Sequence, residues 1–226
     1  MQHEKKHIQT EDGSWTLRIE KLKETYHSRH GAVTESNFVY INEGFNYWSN
    51  QHPSYTCRIL ELGYGTGLTA YLSYLEAEKQ QKRIDFTSLE AYPLSKDELS
   101  LLQYHQFFEG LETVVSYDEF SNLDWERFQA VSPYFNLLKN RTYFEDFKMK
   151  NSFDLIYYDA FGAHAQPELW QPQWMKKCYE LLVSGGVWVS YCAKGSVRRG
   201  LEAAGFTVTR LPGPPGKREM LRAIKA

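Results

Sequence analysis

The 226-residue sequence predicts an α/β fold: a mostly parallel sheet that closes in a C-terminal antiparallel hairpin, with a small lobe added at the N-terminus. Three observations carry that expectation. Short apolar runs alternate with stretches of helical periodicity, the first run ends in a glycine-rich loop, and the last two runs are joined by a Gly/Pro turn with no helix between them.

CRILEL (57–62) reads as the first parallel strand, and Leu68, Tyr71, Leu72 and Leu75 then recur at helical spacing. IDFTSL (84–89) is the second strand and ends at Glu90. TVVS (113–116) is a weaker third, and FDLIYY (153–158) is a stronger one that ends at Asp159. Met175, Cys178, Tyr179 and Leu182 share a helix face, with Pro172 suited to the helix start and Gly185-Gly186 to its stop. VWVS (187–190) follows as a strand. Ser196 is a candidate cap for a helix that carries Val197, Leu201 and Ala204 and closes at Gly205. FTVTR (206–210) and EMLRAI (219–224), joined by LPGPPGK (211–217), should pair as an antiparallel hairpin at the sheet edge. Residues 1–56 break the alternation and read as the appended lobe, with a strand near 16–20 after an Asp12-Gly13 turn; residues 57–226 form the main domain. The aromatic, weakly periodic segment 117–151 reads as short helices covering the sheet.

With 42% hydrophobic and 24% charged residues, the composition excludes a disordered chain, a collagen-like repeat and a long coiled coil. No run reaches the roughly 18 apolar residues of a membrane span, and the N-terminus lacks a signal peptide's apolar core, so a cytoplasmic protein is expected. Cys57, Cys178 and Cys192 form no C-x-x-C pair, which suggests neither a disulfide framework nor a metal site. The net charge of −2 argues against indiscriminate nucleic-acid binding. A local basic face is still expected, because eight basic residues from Lys194 onward are opposed only by Glu202 and Glu219.

The chemistry centres on the ends of the strands. In E-x-G-x-G-x-G, Glu61 and Tyr64 accompany Gly63, Gly65 and Gly67 at the end of the first strand, where an open α/β sheet places its ligand crevice. The third glycine follows the second by two residues rather than three, which suits a nucleoside better than a dinucleotide pyrophosphate. Glu90 lies 25 residues beyond Gly65, close to the offset at which a carboxylate grips ribose hydroxyls. Asp146 is a candidate acceptor for an adenine amino group, with Glu145 as its rival. Asp159 emerges at the mouth of the crevice, followed by a loop rich in small and aromatic residues that is suited to covering a flat substrate. His164 in that loop is not read as a base. No His, Cys, Asp or Glu cluster has metal-ligand spacing, and no nucleophile elbow is present.

ILELGYGTGL (59–68), LEAYPLS (89–95), YDAFGAHAQPELW (158–170), YCAKGSVRRGLEAAGFTV (191–208) and PGKREML (215–221) occur in the order seen in one family, and YHSRHGAVTESNFVYINEGF (26–45) resembles its N-terminal signature. The chain resembles the MnmC-type tRNA methyltransferases over nearly its whole length, in a stand-alone form without the oxidase domain. The resemblance implies a Rossmann-like class I methyltransferase fold that binds S-adenosylmethionine at Glu61, Gly63, Tyr64, Gly65, Gly67, Glu90 and Asp146. It also implies methylation of 5-aminomethyl-(2-thio)uridine at the tRNA wobble position, with Asp159 catalytic and a separate enzyme supplying the aminomethyl group. Two departures stand out: Glu145 replaces a glycine common before the adenine-side aspartate, and Gly162-Ala163-His164 replaces a Ser/Ala-Pro-Lys type loop. Lys194, Arg198, Arg199, Lys217 and Arg218 are the expected tRNA contacts, with Arg218 also able to pair with Glu219. Transfer of an aminopropyl or methyl group to a small amine is the alternative on the same fold, and a nonenzymatic RNA-binding module is the alternative from another class.

Overall fold

A computed structural model describes residues 4–111 and 115–226. The N-terminal strands β1 (Lys5–Gln9), β2 (Trp15–Ile19) and β3 (Glu24–Thr25) form a three-stranded antiparallel sheet. Three helical pieces run continuously from it: α1 (Ala32–Ser36), a π-helical stretch (Asn37–Asn46) and α2 (Tyr47–Gln51). Strand β4 (Cys57–Leu62), helix α3 (Leu68–Gln80) and strand β5 (Ile84–Leu89) then make the first parallel unit. The short helices α4 (Lys96–Ser100), α5 (Tyr104–Phe107) and α6 (Tyr117–Ser121) precede β6 (Gln129–Ser132) and β7 (Phe135–Asn140). The chain closes through β8 (Phe153–Tyr158), α7 (Pro172–Leu181), β9 (Leu182–Ser190), α8 (Gly195–Ala204), β10 (Phe206–Pro212) and β11 (Glu219–Lys225).

The large sheet has the order β10-β11-β9-β8-β4-β5-β7-β6. Its centre is parallel, and β10, β11 and β6 enter through antiparallel pairings. The C-terminal hairpin forms as its turn chemistry requires, β11 pairing with β9 and β10 taking the edge. Both faces are covered, which explains why β8 is buried along its whole length. Leu155 and Tyr157 face a core shared with Tyr71, Phe86 and Val189, while Ile156 and Tyr158 face one shared with Met175, Cys178 and Trp188.

Four local expectations change. The strand beside β5 is Phe135–Asn140, inside the segment read as helical, where buried and half-buried positions alternate with period two. Of the TVVS run, Thr113 and Val114 lie outside the described residues, and Ser116 caps α6. Gly185 and Gly186 do not stop a helix. Helix α7 passes directly into β9, and the two glycines sit at a register shift between the pairs Phe153↔Leu182 and Leu155↔Val187. Lys194, not Ser196, occupies the cap position of α8, without a side-chain capping bond.

The helical stretch 32–51 belongs to the layer on the large sheet: Val39, Tyr40, Ile41, Phe45 and Trp48 are buried in the same core as β4, β5 and β8. The strands 5–25 stand beside this layer, tied to it by Asp12. Its carboxylate accepts from Ser14 N at 3.0 Å and from Thr34 N at 2.9 Å, and also from the Thr10, Ser14 and Thr34 hydroxyls. Burial alone would raise its pKa, but bonds from Ser14, Thr10 and Thr34 outweigh it and hold the group at about 2. A depressed folded-state pKa adds stability that is present above the ordinary aspartate range and lost as pH falls toward 2. Asp12→Ala should therefore destabilise the protein by about 1 kcal/mol at neutral pH after allowing for solvent screening, a difference that denaturant titrations should show shrinking toward pH 2.

Candidate active site

The strand ends converge on a cavity of about 790 Å³ between the β4–α3 loop, the ends of β5 and β7, and the loop after β8. This is the carboxyl edge of the sheet, where the order reverses between β4 and its neighbours β5 and β8. The glycine loop is shaped by left-handed backbone at Gly63 (φ +89°), Gly65 (φ +51°) and Gly67 (φ +76°). A Cβ on Gly63 would come within 2.8 Å of the Asp159 carbonyl oxygen, so the first glycine lets the two loops touch. The Gly63 amide donates to Leu89 O at 2.9 Å, and the Gly65 amide to Glu90 Oε2 at 3.0 Å.

Glu90 lines the cavity and also accepts from Tyr92 N at 2.8 Å. Both carboxylate oxygens thus accept from backbone amides while the group still lines the cavity. Burial raises its pKa, against the opposing amide bonds of Tyr92 and Gly65. Tyr64 lines the cavity with its hydroxyl buried and unbonded, its ring edge-on to Trp125 and 5.3 Å from Lys139 Nζ. Gly67 is the residue before α3.

Three residues expected at the cofactor, Glu61, Gly67 and Asp146, are not on the cavity wall; Gly67 packs against the Tyr64 hydroxyl instead. Glu61 is buried beneath the loop, where Oε2 accepts from the Ser88 hydroxyl at 2.5 Å and Oε1 has no partner among the described residues. Burial pushes its pKa well up. Asp146 is exposed and off the wall, whereas Glu145 lines the cavity. A turn closed by the Asp146 amide on Tyr143 O carries Thr142, Tyr143, Phe144 and Glu145 along the wall, so Glu145 rather than Asp146 is the carboxylate that lines the cavity there.

Asp159 lines the same cavity opposite Glu90's loop, and its Oδ1 accepts from the Tyr40 hydroxyl at 2.6 Å. Burial raises its pKa to about 7, against the Tyr40 bond, so the carboxyl is poised to take a proton near neutrality. The following loop is anchored at several points. Tyr191 OH donates to Ala160 O at 2.8 Å, Trp170 Nε1 to Phe161 O at 2.8 Å, and the Gly162 amide to Glu24 Oε2 at 3.2 Å. His164 sits exposed beside Glu24. A cavity in which a glycine loop, the Glu90 carboxylate and the poised Asp159 carboxyl meet has room and acceptors for a nucleoside cofactor.

A family model described as S-adenosyl-L-methionine-dependent methyltransferase matches residues 135–226. That match covers the C-terminal strands and helices of the chain, from β7 onward. The chain is 30% identical over 225 residues to the tRNA 5-methylaminomethyl-2-thiouridine biosynthesis bifunctional protein MnmC of Haemophilus ducreyi, covering 92% of this chain and 33% of that protein. It is 29% identical over 211 residues to the protein of the same name in Leptospira interrogans, covering 89% of this chain and 32% of that protein. The chain thus spans about a third of the length of these relatives. The crystal structure of MNMC2 from Aquifex aeolicus shares its fold, with a TM-score of 0.74 at 21% identity over 99% of this chain and 71% of that one.

The residues present fit S-adenosylmethionine: Gly63 and Gly65 line the cavity without side chains, the Glu90 carboxylate has acceptor capacity beyond its backbone bonds, and Glu145 lines the same cavity. Among the described residues no group of three or more His, Cys, Asp and Glu could hold a metal ion, and no helix is long and apolar enough to cross a membrane.

The basic residues near the C-terminus divide into two sets. Arg198 pairs with Glu202 at 2.5 Å, one turn along α8, and Lys217 pairs with buried Glu35 while its ammonium sits 3.9 Å from the Tyr191 ring centroid. These two charges are committed within the fold. Lys194, Arg199 and Arg218 are exposed and make no ion pair among the described residues; Arg210, not Arg218, lies beside Glu219. Sequence reasoning missed Tyr26, His27 and Tyr40, which the N-terminal segment brings to the site. Tyr26 covers Gly65 and meets the Phe161 ring edge-on, and buried His27 sits between the Thr16 and Thr66 hydroxyls with its pKa pushed down to about 4 by burial. A hint was available, since YHSRHGAV is too rich in side chains with donors for an inert linker.

Proposed function

We propose that this chain methylates the primary amine of 5-aminomethyl-(2-thio)uridine at the wobble position of tRNA, in the cytoplasm. The observation that carries the reading is Asp159 at the cavity wall, a carboxylate with a pKa of about 7 facing the same space as the glycine loop. S-adenosylmethionine supplies an activated methyl group with a good leaving group, so the remaining barrier is the protonation of the acceptor amine. An alkyl amine with a pKa near ~10 pays about 4 kcal/mol at pH 7 to free its lone pair. Asp159 offsets this by accepting the ammonium proton on the oxygen not held by Tyr40. Phe161, Trp174 and Tyr26 offer the apolar walls that a flipped nucleobase needs.

Purified protein with labelled S-adenosylmethionine should convert aminomethyl-bearing tRNA to the methylaminomethyl nucleoside, read by mass spectrometry of digested tRNA. Transfer to free polyamines but not to this tRNA would sink the reading.

The exposed Lys194, Arg199 and Arg218 flank one sheet edge and suit stem phosphates. Replacing all three with alanine should weaken tRNA binding and lower the log–log salt slope by about 2, without changing S-adenosylmethionine affinity. An unchanged slope in a folded variant would return these residues to an ordinary solvated face.

A further inference from the structure

We infer that Tyr40 is a positioning residue for the proton transfer, its hydroxyl holding one oxygen of Asp159 so that the other meets the amine. This rests on the reading of Asp159 given above. Tyr40 lies in the π-helical stretch and is 1% exposed, yet its hydroxyl reaches the end of β8, 119 residues later in the chain, at 2.6 Å from Asp159 Oδ1. A π-helical run of ten residues is rare, and such irregularities concentrate at functional sites. The ring packs on Tyr157 with centroids 5.2 Å apart, so the backbone aims the hydroxyl and the sheet holds the ring. Burial keeps the phenol protonated, its pKa being raised further by Asp159, so it serves only as a donor to the carboxylate.

Other groups around Asp159 do not duplicate this role. Glu35 of α1 and Lys217 of the 211–217 turn face it with opposite effects and are paired with each other. Tyr191 spends its hydroxyl on Ala160 O, and Glu61 of β4 is bonded to Ser88 beneath the loop. Lys5 and Glu90 belong to the opposite wall. Tyr40 is thus the side chain that donates a hydrogen bond to Asp159 among the described residues. Such a bond favours the charged form of the carboxylate and leaves one oxygen directed at the cavity. Without it, the group would hold its proton to higher pH and rotate between two orientations.

The test is Tyr40→Phe, which keeps the ring, compared with wild type and Asp159→Asn in single-turnover methyl transfer from pH 5.5 to pH 9. Roughly, a charge-assisted bond of ordinary strength corresponds to one to two pH units. The acid limb of the Tyr40→Phe rate profile should therefore move up by about that amount, with the rate recovering toward wild type at high pH and S-adenosylmethionine affinity within a few fold. A uniform loss at every pH, or an acid limb that stays in place, overturns the assignment of Tyr40. Full activity of Asp159→Asn overturns instead the reading on which it rests, so the two failures are distinguishable.

Discussion

Asp159→Asn should lower methyl transfer by roughly 10²–10⁴-fold, the usual contribution of a positioned general base. S-adenosylmethionine affinity should stay within a few fold, because Glu90 and Glu145, the carboxylates proposed for the ribose and adenine, are other residues of the cavity and are left in place. Asparagine keeps an oxygen to accept from Tyr40, so the substitution removes the charge and leaves the contact. A stability effect of opposite sign should accompany the loss. The carboxyl pKa rises from its ordinary value near 3.8 to about 7 on folding, so the folded state binds the extra proton and Asp159 erodes stability as pH climbs through that interval. The variant should therefore be more stable than wild type at pH 8, by at most about 4 kcal/mol, and the gain should fade below pH 4. Thermal melts at the two pH values, read beside turnover, test both statements. Near-normal turnover at neutral pH would return Asp159 to a structural role.

Glu90→Ala is expected to weaken S-adenosylmethionine roughly ten- to a hundredfold, the loss of charge-assisted bonds to the ribose diol, while the strand beneath it remains paired. Gly65→Val should be worse, because a β-branched residue is forced to φ +51° and its Cβ meets the Tyr26 ring at 3.2 Å. Titration calorimetry on both folded variants decides the point. Unchanged affinity in both would mean that the cofactor loop is assigned to the wrong strand end. Glu61→Gln offers a contrast, since it alters a group beneath the loop and leaves the wall intact.

The parts of the site that were legible in the sequence are those whose spacing is local. Gly63, Gly65 and Gly67 turn between a strand and a helix, and Glu90 and Asp159 sit directly after buried apolar runs, so chain direction alone carries them to one edge of a parallel sheet. Which of Asp146 and Glu145 lines the cavity differs by one residue in sequence and depends on a turn bond from the Asp146 amide to Tyr143 O that periodicity does not encode. Likewise β7 was hidden because FNLLKN mixes half-buried Asn136 and Asn140 with a buried lysine. Lys139 is accommodated by donating to Ser121 O at 3.0 Å and lying near the Tyr64 and Trp125 rings, none of which is adjacent in sequence.

The strand–loop–helix unit at the glycine loop, the strands that end at Glu90 and Asp159, and the hairpin that ends the chain follow from sequence by itself, because each depends on patterns within about 30 residues. Which charges are free and which are spent belongs to the tertiary structure. Lys217 meets Glu35 across 182 positions and Tyr40 meets Asp159 across 119, contacts that exist only when the N-terminal helical segment lies on the same sheet as the C-terminal strands. Burial then changes the chemistry of the residues it gathers. A carboxylate that would be ionised in water takes a proton near pH 7 at Asp159, because removing it from solvent penalises the charge more than one tyrosine hydrogen bond can restore.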